Sequence, residues 1–212
     1  LTICSTEKSF AKGPEFKSLY GFNNCVTDIR EIFNDESIDI VYICAPDYCH
    51  PQYVLESLRS GKHVFCEKPL ARSREDFLDI KRDMEKSGKV LQVGMNCRYR
   101  DIFAKTKDIV DCKELGSLRY IRGTYIYNMV ESFEKLEKPW MINYPEKIFP
   151  FLHGGALHCI DILRWIAGDV KSVYARSINS NELKEFMRDD TFLISFEFVN
   201  GAAGELTVSA SA

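Results

Sequence analysis

Apolar residues in the first part of the chain come as short continuous runs, separated by stretches in which they recur at helical spacing. Leu1 to Cys4 reads as a strand, and a helix is expected from about Pro14 to Tyr20. Asp28 is placed to cap a short amphipathic helix reaching Phe33. Ile38 to Ala45, apolar at every position but Asp39, reads as a continuous strand of the kind buried on both faces of a sheet, and Pro46 ends it. His50 to Ser60 follows as a helix with Val54, Leu55 and Leu58 at core spacing, and Gly61 stops it. Lys62 to Cys66 is the next buried strand. Ser73-Arg-Glu-Asp76 is a capping-box pattern opening a helix whose stripe is Phe77, Ile80 and Met84, and Lys89 to Gly94 is strand again. Such alternation predicts a parallel sheet with right-handed crossovers, covered on both faces: a doubly wound α/β domain.

Beyond Asp101 the pattern changes. A helix from Ile102 to about Asp111 precedes a long strand, Ser117 to Met129. Further long strands are expected at Val170–Ser180, Thr191–Asn200 and Ala203–Ala210, with Asn200-Gly201 as a tight hairpin turn between the last two. Strands joined by hairpins make an open, mainly antiparallel sheet, so residues 96–212 are expected to form an α+β domain after an α/β domain at 1–95. The helix that includes His158 and Asp161 places those two side chains on one face, three residues apart, while Ile160, Leu163 and Ala167 face the core.

With 212 residues, 45% of them apolar, and a net charge of −3, the chain can bury a substantial core and carries no charge excess pointing to nucleic acid or an anionic membrane. No apolar run approaches the ~20 residues of a membrane helix. Of the eight cysteines, Cys4, Cys44 and Cys66 fall within strand-like runs, and no Cys-x-x-Cys occurs. A reducing, cytoplasmic setting is expected, with neither zinc nor a redox pair. The chain begins at Leu1 within an apolar run, which reads as an incomplete start.

Chemistry concentrates at Gly61-Lys62-His63-Val64-Phe65-Cys66-Glu67-Lys68-Pro69. Ligands of parallel sheets sit beyond the carboxyl ends of the strands, where this run delivers Glu67 and Lys68. A solvated charge pair is the plainer reading of Glu-Lys alone. The segment, however, resembles the "GKHV-x-x-EKP" fingerprint of the NAD(P)-dependent sugar and polyol oxidoreductases that include glucose-fructose oxidoreductase and inositol dehydrogenase, the Gfo/Idh/MocA-like family. Three further stretches are similar to that family. Ala45-Pro46-Asp47-Tyr48-Cys49-His50 resembles its "P-x-x-x-H" loop, Gly94-Met-Asn96-Cys-Arg98 its "G-x-N-x-R", and His158-Cys-Ile-Asp161-Ile-Leu-Arg-Trp-Ile-Ala-Gly168 its "H-x-x-D-x-x-R-W-x-x-G" helix.

The resemblance implies a Rossmann-type first domain without its opening βα unit, since no Gly-x-Gly phosphate turn occurs and the match starts at the second strand. It implies a second domain that is also incomplete at its C-terminal end. Hydride transfer between nicotinamide and a sugar or cyclic polyol is the implied reaction, with Lys68 holding the reacting oxygen, His158 moving the proton and Asp161 orienting it. Many relatives carry an aspartate where Gly154 stands here, and His153 is adjacent to that gap. Asp161 paired with Arg164 along the helix is the alternative at this point. The cofactor would meet Ser5, Thr6, Lys8, Ala45, Pro46, His50, Glu67 and Lys68. Hydroxyls and a lysine in Ser5-Thr6-Glu7-Lys8 lean towards the 2′-phosphate of NADP over NAD. Substrate contacts are expected from Asn96, Arg98, His153 and His158, with Trp140 either stacking on a sugar ring or covering the sheet. The expected partners are a sugar or polyol and, through the C-terminal sheet, further copies in a homodimer or homotetramer. Two other functions fit the same residues: an NAD-dependent glycosidase, and a non-catalytic dinucleotide- or sugar-binding protein.

Overall fold

The computed structural model describes residues 1–5, 13–135, 141, 144, 150–183 and 185–211, with the backbone alone at 132 and 134. The chain divides into two compact units, Leu1–Gly94 and Met95–Ala212.

In the first unit, strand β1 (Thr2–Cys4), helix α1 (Gly13–Tyr20), β2 (Asn24–Val26) and α2 (Ile29–Asn34) lead to β3 (Ile40–Ile43), α3 (His50–Arg59), β4 (His63–Cys66), α4 (Arg74–Ser87) and β5 (Leu91–Val93). Every described pairing here is parallel: β1 with β2, and β3–β4–β5 as a separate three-stranded sheet. The expected caps form. Asp28 accepts from Arg30 N, Ser73 accepts from Asp76 N, and Gly61 turns the chain at φ 72° after α3.

The register stacks Val41 beside Val64, and Ile43 beside Cys66 and Val93. Val54, Leu58 and Ile80 of the helices cluster with Val41, Ile43, Val64 and Cys66. The opposite face is not buried as the continuous apolar run implied: Ile40 is 54% and Tyr42 69% exposed, and Tyr42 stacks on Phe65 at 5.0 Å. Alternation at period two persists because these helical side chains share one face of the sheet. For the same reason Phe77 does not join the buried stripe of α4. It is 49% exposed while Ile80 is 1%, since Ile80 and Met84 carry that contact. Lys62 is buried, its Nζ donating to the carbonyls of Asp35 (2.6 Å) and Ile38 (2.9 Å), which anchors the start of β4 to the turn before β3.

The second unit opens with a single 3-10 turn, Asn96–Tyr99, and α5 (Asp101–Asp111). Then come β6 (Tyr120–Ile126), the short helices α6 (Val130–Glu134) and α7 (Phe151–Gly154), α8 (Leu157–Ala167), β7 (Val170–Ile178), β8 (Thr191–Phe198) and β9 (Ala203–Ser209). The sheet order is β6–β9–β8–β7, antiparallel across β7–β8–β9, with Gly201 at φ 85° in the expected hairpin. Strand β6 pairs parallel to β9, so the sheet is mixed.

Leu163 of α8 reaches the sheet where Gly123 leaves room: a Cβ there would lie 3.1 Å from Leu163 and 3.2 Å from Leu206. Leu163, Ile194, Leu206 and Val208 belong to the core of this unit. Directly before β8, Asp190 is 1% exposed and gathers Ser180 N and Oγ, Thr191 Oγ1 and Ser211 Oγ around its carboxylate.

Candidate functional site

The carboxyl ends of β3, β4 and β5 are stitched in line. Glu67 N donates to Ile43 O at 2.9 Å, and Gly94 N to Cys66 O at 2.8 Å. The pairing therefore continues one residue past the apolar run, and the chemistry-bearing residues emerge from a fixed edge. Glu67 turns its carboxylate back to accept from Lys68 N at 3.2 Å. The same carboxylate lies against Gly94, where an added Cβ would come within 3.1 Å of Glu67 Oε1. Lys68 is half-buried, and its bond to the buried Pro69 is cis. Burial, with Glu67 beside it, pushes the Cys66 thiol up to about 12, so that group stays protonated and inert in the sheet.

Ala45 and Pro46, half-buried, follow β3 and lead into the 3-10 turn Asp47–Cys49. His50, expected among the cofactor contacts, points elsewhere: it is 1% exposed, with Nδ1 2.7 Å from Pro69 O and Nε2 2.8 Å from Ala45 O. Both ring nitrogens are taken up by backbone, which leaves the side chain nothing to offer a ligand. Of the residues expected at the adenosine end, Ser5 is described and Thr6 and Lys8 lie outside the described residues, as does Trp140. Ser5 Oγ, at the carboxyl end of β1, is buried without a hydrogen-bond partner among the described residues. An orphaned hydroxyl beyond a parallel strand suits the ribose of a dinucleotide, so the described residues of this unit fit that group.

The second unit contributes a separate cluster. Arg98, in the turn Asn96–Tyr99, binds Asp161 of α8 through two parallel bonds, Nε to Oδ2 at 2.8 Å and Nη2 to Oδ1 at 2.5 Å. Its guanidinium also lies 5.7 Å from the ring centroid of Trp165, one turn further along α8. The Asp161 carboxylate raises the pKa of Arg98 above its ordinary value, chiefly through the hydrogen bonds. Asp161 thus spends both oxygens on Arg98, and Arg164 pairs with Asp169, so the i,i+3 pairing along the helix does not form. His158 is half-buried on the same helix, and Asn96 and His153 are exposed. Burial raises the pKa of Cys159, beside His158, with Cys97 adding to the effect.

Sequence reasoning did not foresee Gly94 as the seat of the Glu67 carboxylate, nor Asp47, whose buried carboxylate has no hydrogen-bond partner among the described residues. Glycine directly after a strand that ends at the ligand edge was the available signal for Gly94. A shallow cleft of about 590 Å³ lies on the outer side of α3 and α4, lined by residues such as Gln52, Arg59 and Arg72. None of the expected site residues lines it. Among the described residues no group of three His, Cys, Asp or Glu side chains could hold a metal, and no helix is long and apolar enough to cross a membrane.

Comparison with known proteins agrees with this architecture. Residues 3–95 match a family model described as "Oxidoreductase family, NAD-binding Rossmann fold", and residues 103–212 match the "GFO/IDH/MocA C-terminal domain". An uncharacterized oxidoreductase of Bacillus subtilis, YrbE, is 31% identical over 179 residues, covering 83% of this chain and 50% of that protein. The scyllo-inositol 2-dehydrogenase (NAD(+)) of Bacillus subtilis is 27% identical over 210 residues, 98% of this chain and 59% of that protein. Among solved structures, a levoglucosan dehydrogenase in complex with NADH and levoglucosan superposes with a TM-score of 0.85 at 25% identity, over 100% of this chain and 58% of that one. The chain spans 40 to 59% of the length of the first three curated relatives it matches.

Proposed function

Because the chain belongs to the GFO/IDH/MocA family of oxidoreductases and its first unit is an NAD-binding Rossmann domain, we propose that it takes part in hydride transfer between a nicotinamide cofactor and a hydroxyl-bearing carbon of a sugar or cyclic polyol. The observation that carries the proposal is the fixing of Lys68. Strand β4 presents it at the carboxyl edge of a parallel sheet, behind the pairing of Glu67 N with Ile43 O. Relatives that bear the names of inositol and levoglucosan dehydrogenases support the substrate class.

Ser5, the Ala45–Pro46 turn and the Glu67–Lys68 segment hold the dinucleotide in this reading, and the polar run Ser5-Thr6-Glu7-Lys8 tilts the choice towards NADP. Bound cofactor supplies the hydride acceptor. The Lys68 ammonium donates to the reacting oxygen and stabilises the negative charge that grows there as the C–H bond breaks. His158 takes the proton, and Asn96 donates to substrate hydroxyls. Asp161, held by Arg98, fixes the turn that bears Asn96 and acts on substrate through that turn. The outer face of the second sheet carries Tyr174 at 75% and Leu193 at 44% exposure, and copies of the chain associate through it. All eight cysteines are free, in keeping with work in a reducing cytoplasm.

Cofactor reduction by the full-length protein, followed by absorbance over a panel of sugars and inositols, tests the reading. Lys68→Ala is expected to lower kcat by about 10²–10⁴-fold on the best substrate. Turnover by that variant at the wild-type rate would remove Lys68 from the reaction.

A further inference from the structure

The His50 ring sits between two acceptors and no donor. Its Nδ1 lies 2.7 Å from Pro69 O and its Nε2 2.8 Å from Ala45 O, at 1% exposure. Carbonyl oxygens only accept, and a neutral imidazole has a single N–H. In either neutral tautomer one ring lone pair would face a carbonyl lone pair at hydrogen-bond distance, with no water able to reach between them. The imidazolium form has a donor on each nitrogen and satisfies both contacts.

An independent observation supplies the opposite charge. Asp47 lies three residues earlier, on the turn that runs into α3, and is 4% exposed. Both of its carboxylate oxygens are buried without a hydrogen-bond partner among the described residues. A buried carboxylate with no donor is costly, and so is a lone buried cation. The two lie three residues apart in the chain and form no ion pair with each other, so the balance between them is one of net charge on one turn, not of contact. The remaining ionisable groups on the segments that meet at the ring are Cys44, Tyr48, Cys49, Tyr53, Glu67 and Lys68. Of these, Glu67 has turned its carboxylate towards Lys68 N and Gly94.

We propose that His50 is an imidazolium, balanced by Asp47, that ties the end of β3 to the segment carrying Lys68 and so acts as a positioning residue for it. One ring prong holds the carbonyl of Ala45, the other that of Pro69, the residue directly after Lys68. The two backbone segments that flank the ligand edge of the sheet are thereby held at one spacing. The positioning role rests on the catalytic reading of Lys68; the charge state does not.

The two parts are therefore measured separately. Nitrogen-detected imidazole spectra of the otherwise unaltered protein at neutral pH are expected to show protons on both ring nitrogens of His50, identified by their disappearance in His50→Gln. A single protonated nitrogen would overturn the proposal. Asp47→Asn is expected to convert the ring to that singly protonated form, and a ring still cationic in this variant would overturn the charge balance with Asp47. On turnover, His50→Phe keeps a ring of similar shape without donors and is expected to lose about 100-fold in kcat with little change in the KM for cofactor. His50→Gln, able to restore one of the two bonds, is expected to fall between. Wild-type kcat in His50→Phe would overturn the positioning role. An unaltered protein that shows the doubly protonated ring and yet turns over no substrate would strike the catalytic reading of Lys68 and leave the charge assignment standing.

Discussion

Arg98 and Asp161 are joined across 63 residues of chain by two parallel hydrogen bonds, with the guanidinium fork matched to both oxygens of one carboxylate. The Asp161 side chain is 12% exposed and that of Arg98 39%. Most of the desolvation therefore falls on the acid, and the base stays in touch with water.

Removing one partner should cost more than removing both. Arg98→Ala leaves a largely buried carboxylate without its donors, at an expected loss of about 1.5–3 kcal/mol. Arg98→Lys cannot reproduce the fork and should recover only part of it. Urea denaturation of the two single variants and of the Arg98→Ala/Asp161→Ala double variant tests this. Strict additivity of the single effects would show that the pair is not coupled.

Lys62 is a buried cation of the first unit, with two carbonyls as its described acceptors. Lys62→Met preserves much of the stem volume and leaves the carbonyls of Asp35 and Ile38 without that donor. We expect a loss of about 2–3 kcal/mol, visible as a lower denaturant midpoint at unchanged slope. A midpoint equal to wild type would mean that water replaces the ammonium.

Asp190 predicts an acid-side dependence of stability. Burial by itself raises its pKa, but bonds from the Ser180 hydroxyl and backbone, Thr191 and Ser211 together outweigh it, and the folded carboxyl lies below its ordinary value. A depressed folded pKa stabilises fully above the unfolded value of about 3.9 and is lost as pH falls through the lower, folded one. Asp190→Asn puts an amide where donors converge and should cost about 1–3 kcal/mol at neutral pH. That deficit should shrink in unfolding curves taken progressively below pH 4, and a deficit independent of pH would contradict the assignment.

Thiol chemistry should separate the cysteines by position. Cys66 is 0% exposed, with its thiol pushed up to about 12, whereas Cys112 is exposed. Under native conditions iodoacetamide should label Cys112 early and Cys66 only after unfolding, as read by peptide mass spectrometry. Early labelling of Cys66 would mean that the central strand opens locally.

Local rules were legible residue by residue. Ser73 caps its helix through Asp76 N, Gly61 ends α3 in a left-handed conformation, and Asn200-Gly201 turns the hairpin, because each acts on backbone groups within a few residues of itself. The alternation of strands and helices likewise determined an α/β unit followed by an α+β unit, and the run ending in Glu67-Lys68-Pro69 marked the edge where chemistry would sit. What the tertiary structure alone decided is which distant groups meet. Asp161 faces both Arg164 on its own helix and Arg98 beside it, and packing of the Asn96–Tyr99 turn against α8 selects the second. Tyr42 and Phe77 are apolar at sites that no described helix covers, the His50 ring is consumed by two carbonyls brought together from either side of it in the chain, and β6 runs parallel to β9. A residue's type states which contacts it can make. Which of them it does make depends on what the closed chain places within about 3–4 Å, a range over which hydrogen bonds and dispersion fall away steeply.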